Sequence, residues 1–452
     1  MSTSPLRCAV VGAGITGLTA AFRLQQAGAD VTVFEAGAAP GGSIRTHREG
    51  DWLVEDGPNT LLLRDCSCDA LFTALGLAPL IANPAAKRRY LVRHGRPHAL
   101  PSSPWGALWT PIFSLSGKLR VLLEPFIRTN RDNPDETLES FARRRVGQEF
   151  LDYAVNPFVG GVYACAPGDL CVRHALPRLW RLEQNHGSLV RGTIALLRAK
   201  RRTGDRSKPR LVSFAGGLQD LTDALTRSLA RPLSRFTTIT SVERAPAGPW
   251  ILHGQRAGET FSGSFDRVLF ATNAEAMAKL QVDGSQPLPA LGQLPYSAVT
   301  SVALGYARAQ VEHPLDGFGM LIPQREGRHI LGTLFSTTLF PHRAPEGRVL
   351  LTTFVGGRQP EMASLPDAEL LARVRADLAD LIGARGEPEF VRIARWPRAI
   401  PRYGASMGPL RAQMDLFEHA HPGLFLAGAF RDGVSLPDCL AAGERAAARV
   451  KA

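Results

Sequence analysis

The spacing of apolar residues changes character several times along the first sixty positions. Cys8-Ala9-Val10-Val11 is an unbroken apolar run, the pattern of a strand buried on both faces, and it stops at Gly12. Ile15, Leu18 and Phe22 then recur at helical intervals, and Gly28 ends the helix they predict. Val31-Thr32-Val33-Phe34 predicts a second strand that finishes on Glu35. Further on, helical patterns cover 71–77, 136–145 and 189–197. The stretch 212–229 opens with Ser213-Phe214-Ala215-Gly216-Gly217-Leu218 and continues as a helix, while 238–244, 250–253 and 265–272 read as strands. Residues 299–354 alternate apolar and polar positions with glycine and proline breaks, which predicts an antiparallel sheet. A helix starts at Pro366, presents Leu370, Leu371, Val374, Leu378 and Leu381 on one face, and stops at Gly383. Residues 424–429 predict a last strand, and the helix after it carries Pro437 in its first turn, where a missing N–H costs nothing.

Length turns these elements into lobes: 452 residues exceed one ordinary core, so two or three are expected. With 44% apolar and 21% charged residues the chain is globular, and disorder as its main state is excluded. The 53 Lys and Arg against 41 Asp and Glu leave a net charge of +12, which suits nucleic acid, a lipid surface or a carboxylate-bearing substrate. Nucleic acid is set aside, because no basic region is interleaved with aromatics. The six cysteines show no CxxC pair and no metal spacing, so no metal site is expected and a reducing compartment is the default. The first residues lack the apolar core of a signal peptide, and no run of ~18 uncharged apolar residues exists to span a bilayer. The nearest candidate, 107–127, is broken by Pro111, Lys118, Arg120, Glu124 and Pro125; Trp105, Leu108, Trp109, Ile112, Phe113 and Leu115 around it would suit a helix lying on a membrane. Residues 198–210, RAKRRTGDRSKPR, read as a solvated basic loop that could also meet lipid phosphates.

The turn between the first strand and helix is Gly12-Ala13-Gly14-Ile15-Thr16-Gly17, a GxGxxG. Gly12 makes the tight turn, Gly14 lets backbone approach a pyrophosphate, and Gly17 lets helix and strand pack closely. The helix start turns unpaired N–H groups and a positive dipole end toward phosphate. Glu35, 23 residues after Gly12, is placed to accept from a ribose hydroxyl, which disfavours a 2′-phosphate and leaves NAD or FAD. Gly41-Gly42-Ser43-Ile44-Arg45-Thr46 follows, and then Asp51 to Thr60 with Gly57-Pro58-Asn59-Thr60. A nicotinamide dehydrogenase has no standard need for that second glycine pair, whereas an extended FAD passing beneath it does.

In these elements the chain resembles the amine-oxidase-type flavoproteins, except that Ala39 stands where their pattern usually has Arg. Interior segments narrow the resemblance to the protoporphyrinogen oxidase family: Arg89-Tyr90-Leu91-Val92 with Pro97-His98-Ala99-Leu100-Pro101, Pro157 to Ala164, Leu176 to Gln184, Phe318 to Pro323, Leu331 to Ser336 and Thr352 to Gly357. The resemblance implies an α/β (α+β overall) architecture: a Rossmann-like FAD-binding domain from 1–86, 211–290 and 402–452, a mixed-sheet substrate domain at 291–401, and a helical, basic, membrane-associating region at 87–210. It implies oxidation of a porphyrinogen to a porphyrin in tetrapyrrole biosynthesis, six electrons leaving through non-covalent FAD, with dioxygen as acceptor and hydrogen peroxide released. The cytoplasm, peripherally on the membrane face, is the implied location, and a homodimer is left open.

Carried over position by position, the resemblance puts Gly161 beside the reacting meso carbon, with its carbonyl orienting the departing hydrogen. It puts Arg89 on a substrate propionate and Leu321, Leu334 and Phe354 around the macrocycle. FAD falls to Gly12 through Gly17, Glu35, Ala36, Gly42, Ser43, Gly57, Pro58, Asn59 and Thr60, with Val242 at the adenine and Ala429, Val434, Ser435 and Leu436 at the isoalloxazine. No histidine or cysteine receives a catalytic role. Arg89 favours protoporphyrinogen over coproporphyrinogen, because the coproporphyrinogen branch often lacks that Arg. An amine oxidase and a basic scaffold protein with a vestigial nucleotide fold are the alternatives from other classes.

Overall fold

The computed structural model describes residues 4–65, 68–101, 103, 106, 109–202, 208–246 and 248–452. The apolar run Arg7–Val11 pairs in parallel with Asp30–Phe34 on one side and Arg267–Phe270 on the other, and Leu424–Leu426 completes a four-stranded parallel sheet. The chain's two ends therefore meet. Helix Ile15–Gln26 lies against the terminal helix Leu436–Lys451, so closely that a Cβ on Gly443 would stand 2.5 Å from the Thr16 carbonyl oxygen. Thr237–Arg244, Trp250–Arg256 and Glu259–Phe265 form an antiparallel sheet beside it, joined in parallel by Gln281–Val282.

A seven-stranded mixed sheet makes the second lobe, in the order Phe390–Pro401, Tyr296–Ala307, Arg348–Gly356, Ile330–Phe335, Gly317–Leu321, Arg88–Arg93, Arg96–Ala99. Its Val302, Leu304, Met320, Ile322, Phe335 and Val355 are buried in one core with Leu370, Val374, Leu378 and Leu381 of helix Asp367–Ile382. That helix stops where expected, at Gly383 in the left-handed region (φ 65°).

Several expectations are corrected. The segment 87–210 is not wholly helical: Arg88–Arg93 and Arg96–Ala99 are strands, because Tyr90, Leu91 and Val92 have a parallel partner in Gly317–Leu321. The strand expected over 265–272 is the end of one strand and a second one, Arg267–Phe270. They divide at Asp266, whose carboxylate takes the Arg7 backbone N–H and guanidinium, each at 2.9 Å. The helix expected over 71–77 is Asp69–Ala74, since Gly76 takes φ 67°. The basic stretch 198–210 is helix Leu189–Arg202 at its start and strand Arg210–Ser213 at its end, with 203–207 outside the described residues.

The apolar face near 107–127 also differs. Trp105 and Leu108 lie outside the described residues. Ile112 is fully buried against Leu91 and Tyr153, and Phe113 stacks on Phe150 with ring centroids 3.9 Å apart. The exposed large apolar side chains are instead Trp109; Leu115, Leu119 and Leu122 of helix Leu115–Leu122; Leu123 and Phe126 after it; and Ile194, Leu196 and Leu197 on a second helix, Leu189–Arg202. Phe126 is 80% exposed and Leu115 83%. Among the described residues no helix is long and apolar enough to cross a membrane.

Beneath that face Arg145 and Glu183 are both buried. The Arg145 Nε donates to Glu183 Oε1 at 2.8 Å, its Nη2 forms a shorter contact with the same oxygen, and its Nη1 reaches Glu124 Oε1 at 3.0 Å. Glu124 in turn caps the second helix, accepting from Leu189 N–H at 2.9 Å and Val190 N–H at 3.2 Å.

Candidate functional site

The glycine turn has the geometry its sequence requires. Gly12 takes φ 107°, and a Cβ there would stand 2.6 Å from the Ala271 carbonyl oxygen; a Cβ on Gly17 would overlap the Gly12 carbonyl oxygen. Gly14 differs, because nothing lies within 4 Å of where its Cβ would be. Gly14 is the N-cap of helix Ile15–Gln26, with no side chain bonded to the helix start. Open space in front of unsatisfied N–H groups fits a pyrophosphate. Ala13 and Ile15 are buried, and the Thr16 hydroxyl is already given to the Cys439 carbonyl at 3.1 Å, so these three offer backbone rather than side chain.

Glu35 sits at the strand end, half-buried, with Oε2 accepting from Ala13 N–H at 2.9 Å and Oε1 from Gly37 N–H at 2.8 Å. Each oxygen keeps a lone pair for a ribose hydroxyl. Ala36 beside it is exposed. The second glycine pair is tied to the first turn: Gly41 N–H donates to the Ala13 carbonyl at 2.8 Å, and a Cβ on Gly42 would meet only the Gly14 Cα, at 3.4 Å. Gly42 and Ser43 are exposed on its outer side.

The segment 55–60 is clamped from both lobes. Glu55 is buried and accepts from Leu218 N–H at 2.8 Å and the Thr46 hydroxyl at 2.7 Å. Its remaining partner is the buried Arg343 guanidinium at 3.4 Å, which also donates to the Asn59 carbonyl at 3.0 Å. Burial pushes the Glu55 carboxyl up against the pull of Arg343. Asp56 takes a two-pronged bond from Arg392 at 3.0 and 2.7 Å, and its carbonyl accepts from Trp396 Nε1 at 2.8 Å. A Cβ on Gly57 would overlap the Ser43 carbonyl oxygen. Pro58 and Thr60 are half-buried, and Asn59 Oδ1 is buried with no partner among the described residues. A buried acceptor left unmade fits a cofactor that brings a donor.

At the C-terminal end Tyr403 is the organiser, and the sequence offered no sign of it. Its phenol is buried, donates to the Ala429 carbonyl and accepts from Gly433 N–H at 2.9 Å. Ala429, Val434 and Leu436 are partly buried around that bond, and exposed Ser435 caps the terminal helix by accepting from Asp438 N–H at 3.3 Å. Asp438 stands in the first turn and offsets part of the positive helix end expected there. Tyr403→Phe strands the Gly433 N–H and the Ala429 carbonyl, a loss of about 1–3 kcal/mol. We expect a lower melting temperature and faster flavin loss, read by visible absorbance during heating.

Val242 is not brought to Glu35. The strand that carries it meets Glu35 at its first residue, where Thr237 N–H donates to the Glu35 carbonyl at 2.8 Å. Val242 lies five residues on, roughly 16 Å at strand rise. It is fully buried, and its carbonyl already accepts from Asp283 N–H at 3.0 Å. Backbone of 234–237 is what lies beside Glu35, with Glu35 N–H also donating to the Ser234 carbonyl at 2.9 Å.

In the second lobe the pairing register aligns Leu91, Leu321, Gly332 and Phe354 in one row and, two residues along, Arg89, Gly319, Leu334 and Thr352 in another. Residues two apart on a strand share a face, so Arg89, Leu321, Leu334 and Phe354 all belong to the face opposite the helix-covered core. Leu321, Leu334 and Phe354 are each only half-buried. Gly161, in helix Asn156–Val162, sits against this face: a Cβ on it would be 2.7 Å from Leu321 Cδ2. Arg89 is exposed with its guanidinium 5.5 Å above the Phe318 ring, while Arg88 beside it is paired with Asp316. Among the described residues Arg89 has no carboxylate partner, and its charge is available to a ligand. The thiols of Cys165 and Cys439 are each pushed up to about 12 by burial, which suits inert cysteines.

Residues 15–451 match the family of flavin containing amine oxidoreductases. The chain is 34% identical to protoporphyrinogen oxidase 2, chloroplastic/mitochondrial, of Arabidopsis thaliana, over 99% of this chain and 94% of that protein. It is 28% identical to coproporphyrinogen III oxidase of Bacillus subtilis (strain 168), over 99% and 98%. A crystal structure from Exiguobacterium sp. 255-15, assigned provisionally to the protoporphyrinogen oxidases, covers 100% of this chain and 99% of its own at a TM-score of 0.80 and 25% identity. Putrescine oxidase bound to putrescine shares the fold at a TM-score of 0.69 and 16% identity, covering 99% of each chain.

Proposed function

Because this chain belongs to the flavin containing amine oxidoreductases and is an oxidoreductase with a flavin cofactor, we propose that it is an FAD-dependent oxidase of protoporphyrinogen IX. One observation carries the reading. Arg89, Leu321, Leu334 and Phe354, four residues from four strands, belong to one face of the second sheet, with Gly161 of helix Asn156–Val162 against Leu321. A flat apolar ring with acidic side chains is the ligand such a face suits.

Bound FAD would supply the two-electron oxidation, with dioxygen as acceptor and peroxide as its product. The chain's own residues bind and orient. Leu321, Leu334 and Phe354 exclude water from the macrocycle, and a charge-assisted bond from Arg89 holds a propionate. The missing side chain at Gly161 lets Leu321 pack against helix Asn156–Val162, and the Gly161 carbonyl oxygen orients the departing hydrogen.

Purified protein should be yellow, release FAD on acid precipitation, and generate porphyrin fluorescence when protoporphyrinogen is added. A colourless protein, or one inert toward porphyrinogens while releasing peroxide from simple amines, would refute the assignment. Arg89→Gln should raise KM about tenfold or more with flavin content unchanged, as loss of a charged hydrogen bond does. Coproporphyrinogen is the second reading, favoured by the similarity to the Bacillus subtilis protein. The ratio of kcat/KM for the two porphyrinogens separates them.

We also propose peripheral membrane contact through Leu115, Leu119, Leu122 and Phe126, with Arg191, Arg198, Lys200, Arg201 and Arg202 supplying charge on the second helix. The protein should float with anionic liposomes at low salt, and Leu122→Glu with Phe126→Glu should abolish flotation while flavin stays bound. Wild-type protein that stays with the soluble fraction under those conditions would refute this contact.

A further inference from the structure

Arg358, whose Nε and Nη1 are buried, has no counter-charge among the described residues. Arg358 follows the strand Arg348–Gly356 through a turn in which Gly356 and Gly357 take φ 100° and 62°. That turn interlocks with the turn after Gly161, because a Cβ on Gly357 would overlap the Ala164 carbonyl oxygen. The guanidinium ends up between two elements of the site. Its Nη1 is 3.4 Å from where a Gly160 Cβ would be, and its Nη2 donates to the Ile322 carbonyl at 3.4 Å, one residue past Leu321. Nε and Nη1 are buried without a hydrogen-bond partner, and among the described residues no carboxylate lies within ion-pair distance.

Such a charge is costly to bury unpaired. Burial alone pulls the Arg358 pKa down to about 10, so the group stays cationic at neutral pH. Arg343, a fully buried arginine of this lobe, has Glu55 and the Asn59 carbonyl. Arg145 has two carboxylates. Only a single long bond holds the Arg358 fork, so turning it toward a newly arrived anion breaks little.

Its position names the anion. Arg89 pairs in register with Gly319, and Ile322 lies three residues further along that strand, about 10 Å at strand rise. Gly161 and Leu321 lie in the interval. A macrocycle seated with one edge at Arg89 and its reacting carbon at Gly161 therefore directs another part of its edge at Arg358. We propose that Arg358 is a second substrate-binding cation, which takes a carboxylate side chain of the porphyrinogen other than the one held by Arg89. This rests on the porphyrinogen reading above.

The test uses flavin-loaded wild-type protein, R358Q and R358K, with protoporphyrinogen and its dialkyl ester as substrates. For the acid, R358Q should raise KM about ten- to a hundredfold with kcat changed by less than about threefold. For the ester it should change neither, and R358K should recover part of the loss. Flavin content should be unaltered, and the melting temperature of the ligand-free variant should be equal or higher, because an uncompensated buried charge is gone. Equal effects of R358Q on acid and ester, an unchanged KM for the acid, or a lowered melting temperature would each overturn the proposal in favour of a purely structural arginine. If the wild type oxidises neither compound, the porphyrinogen reading itself falls and takes this one with it. Turnover by the wild type with no acid-specific loss in R358Q removes this one alone.

Discussion

Gly17→Ala should strip the flavin from this protein. The added methyl would overlap the Gly12 carbonyl oxygen and stand 3.2 Å from the Ala271 Cβ, so neither neighbour is a flexible side-chain end that can swing away. Helix Ile15–Gln26 must then lift from the sheet, at an overpacking cost of about 1–3 kcal/mol. Its N-terminus would also leave the position that the Gly14 opening defines. A shift of this size in a preorganised contact is enough to lose roughly a hundredfold in function. The ratio of flavin to protein absorbance after gel filtration reads the result. Gly14→Ala is the companion variant: with nothing within 4 Å, its methyl disturbs no packing and fills only the cradle. It should melt like the wild type and still retain less flavin. Wild-type flavin content in both variants would contradict the cradle.

Arg145→Met should be the most destabilising single change in the helical part. The arginine is fully buried between Glu183 and Glu124, and removing it leaves the buried Glu124 without a cation and Glu183 with Arg144 alone, a loss of about 3–5 kcal/mol. Chemical unfolding followed by circular dichroism measures it, and a loss below about 1 kcal/mol would contradict the network's weight. The pH dependence has a definite sign. Burial pushes the Glu183 carboxyl up, but bonds from Arg144 and Arg145 outweigh it and hold the carboxyl below the usual range. A depressed carboxyl stabilises fully above its unfolded value of about 4.3, and that stability disappears as pH falls through the folded value. The gap between wild type and Arg145→Met should therefore narrow below pH of about 4.

Much of the nucleotide half was legible in order along the chain. Strand, glycine turn, helix, second strand and Glu35 are local patterns, and their bounds came within a residue or two. The helix closing at Gly383 and Pro437 in the first turn of the terminal helix were local too. What escaped was long-range. Val242 was assigned to the adenine by resemblance, yet its strand meets Glu35 at Thr237, a matter of how two distant strands register. Ile112 matched a membrane face by composition, but it is enclosed by Leu91 and Tyr153 from elsewhere in the chain. Tyr403 and Arg343 carried no motif, because their partners lie 26 or more residues away.

The sequence by itself determined the strand, glycine turn, helix and second strand that open the chain, and which family the chemistry belongs to. These follow from periodicity, glycine sterics and short spacings, all of which act over a few residues. Only the tertiary structure decided that Arg89, Leu321, Leu334 and Phe354 share one face, that 55–60 is clamped from both lobes, and that the Arg358 Nε and Nη1 are buried without a partner among the described residues. Such properties depend on strand order and on burial, and both are set by contacts between residues that the chain itself keeps far apart.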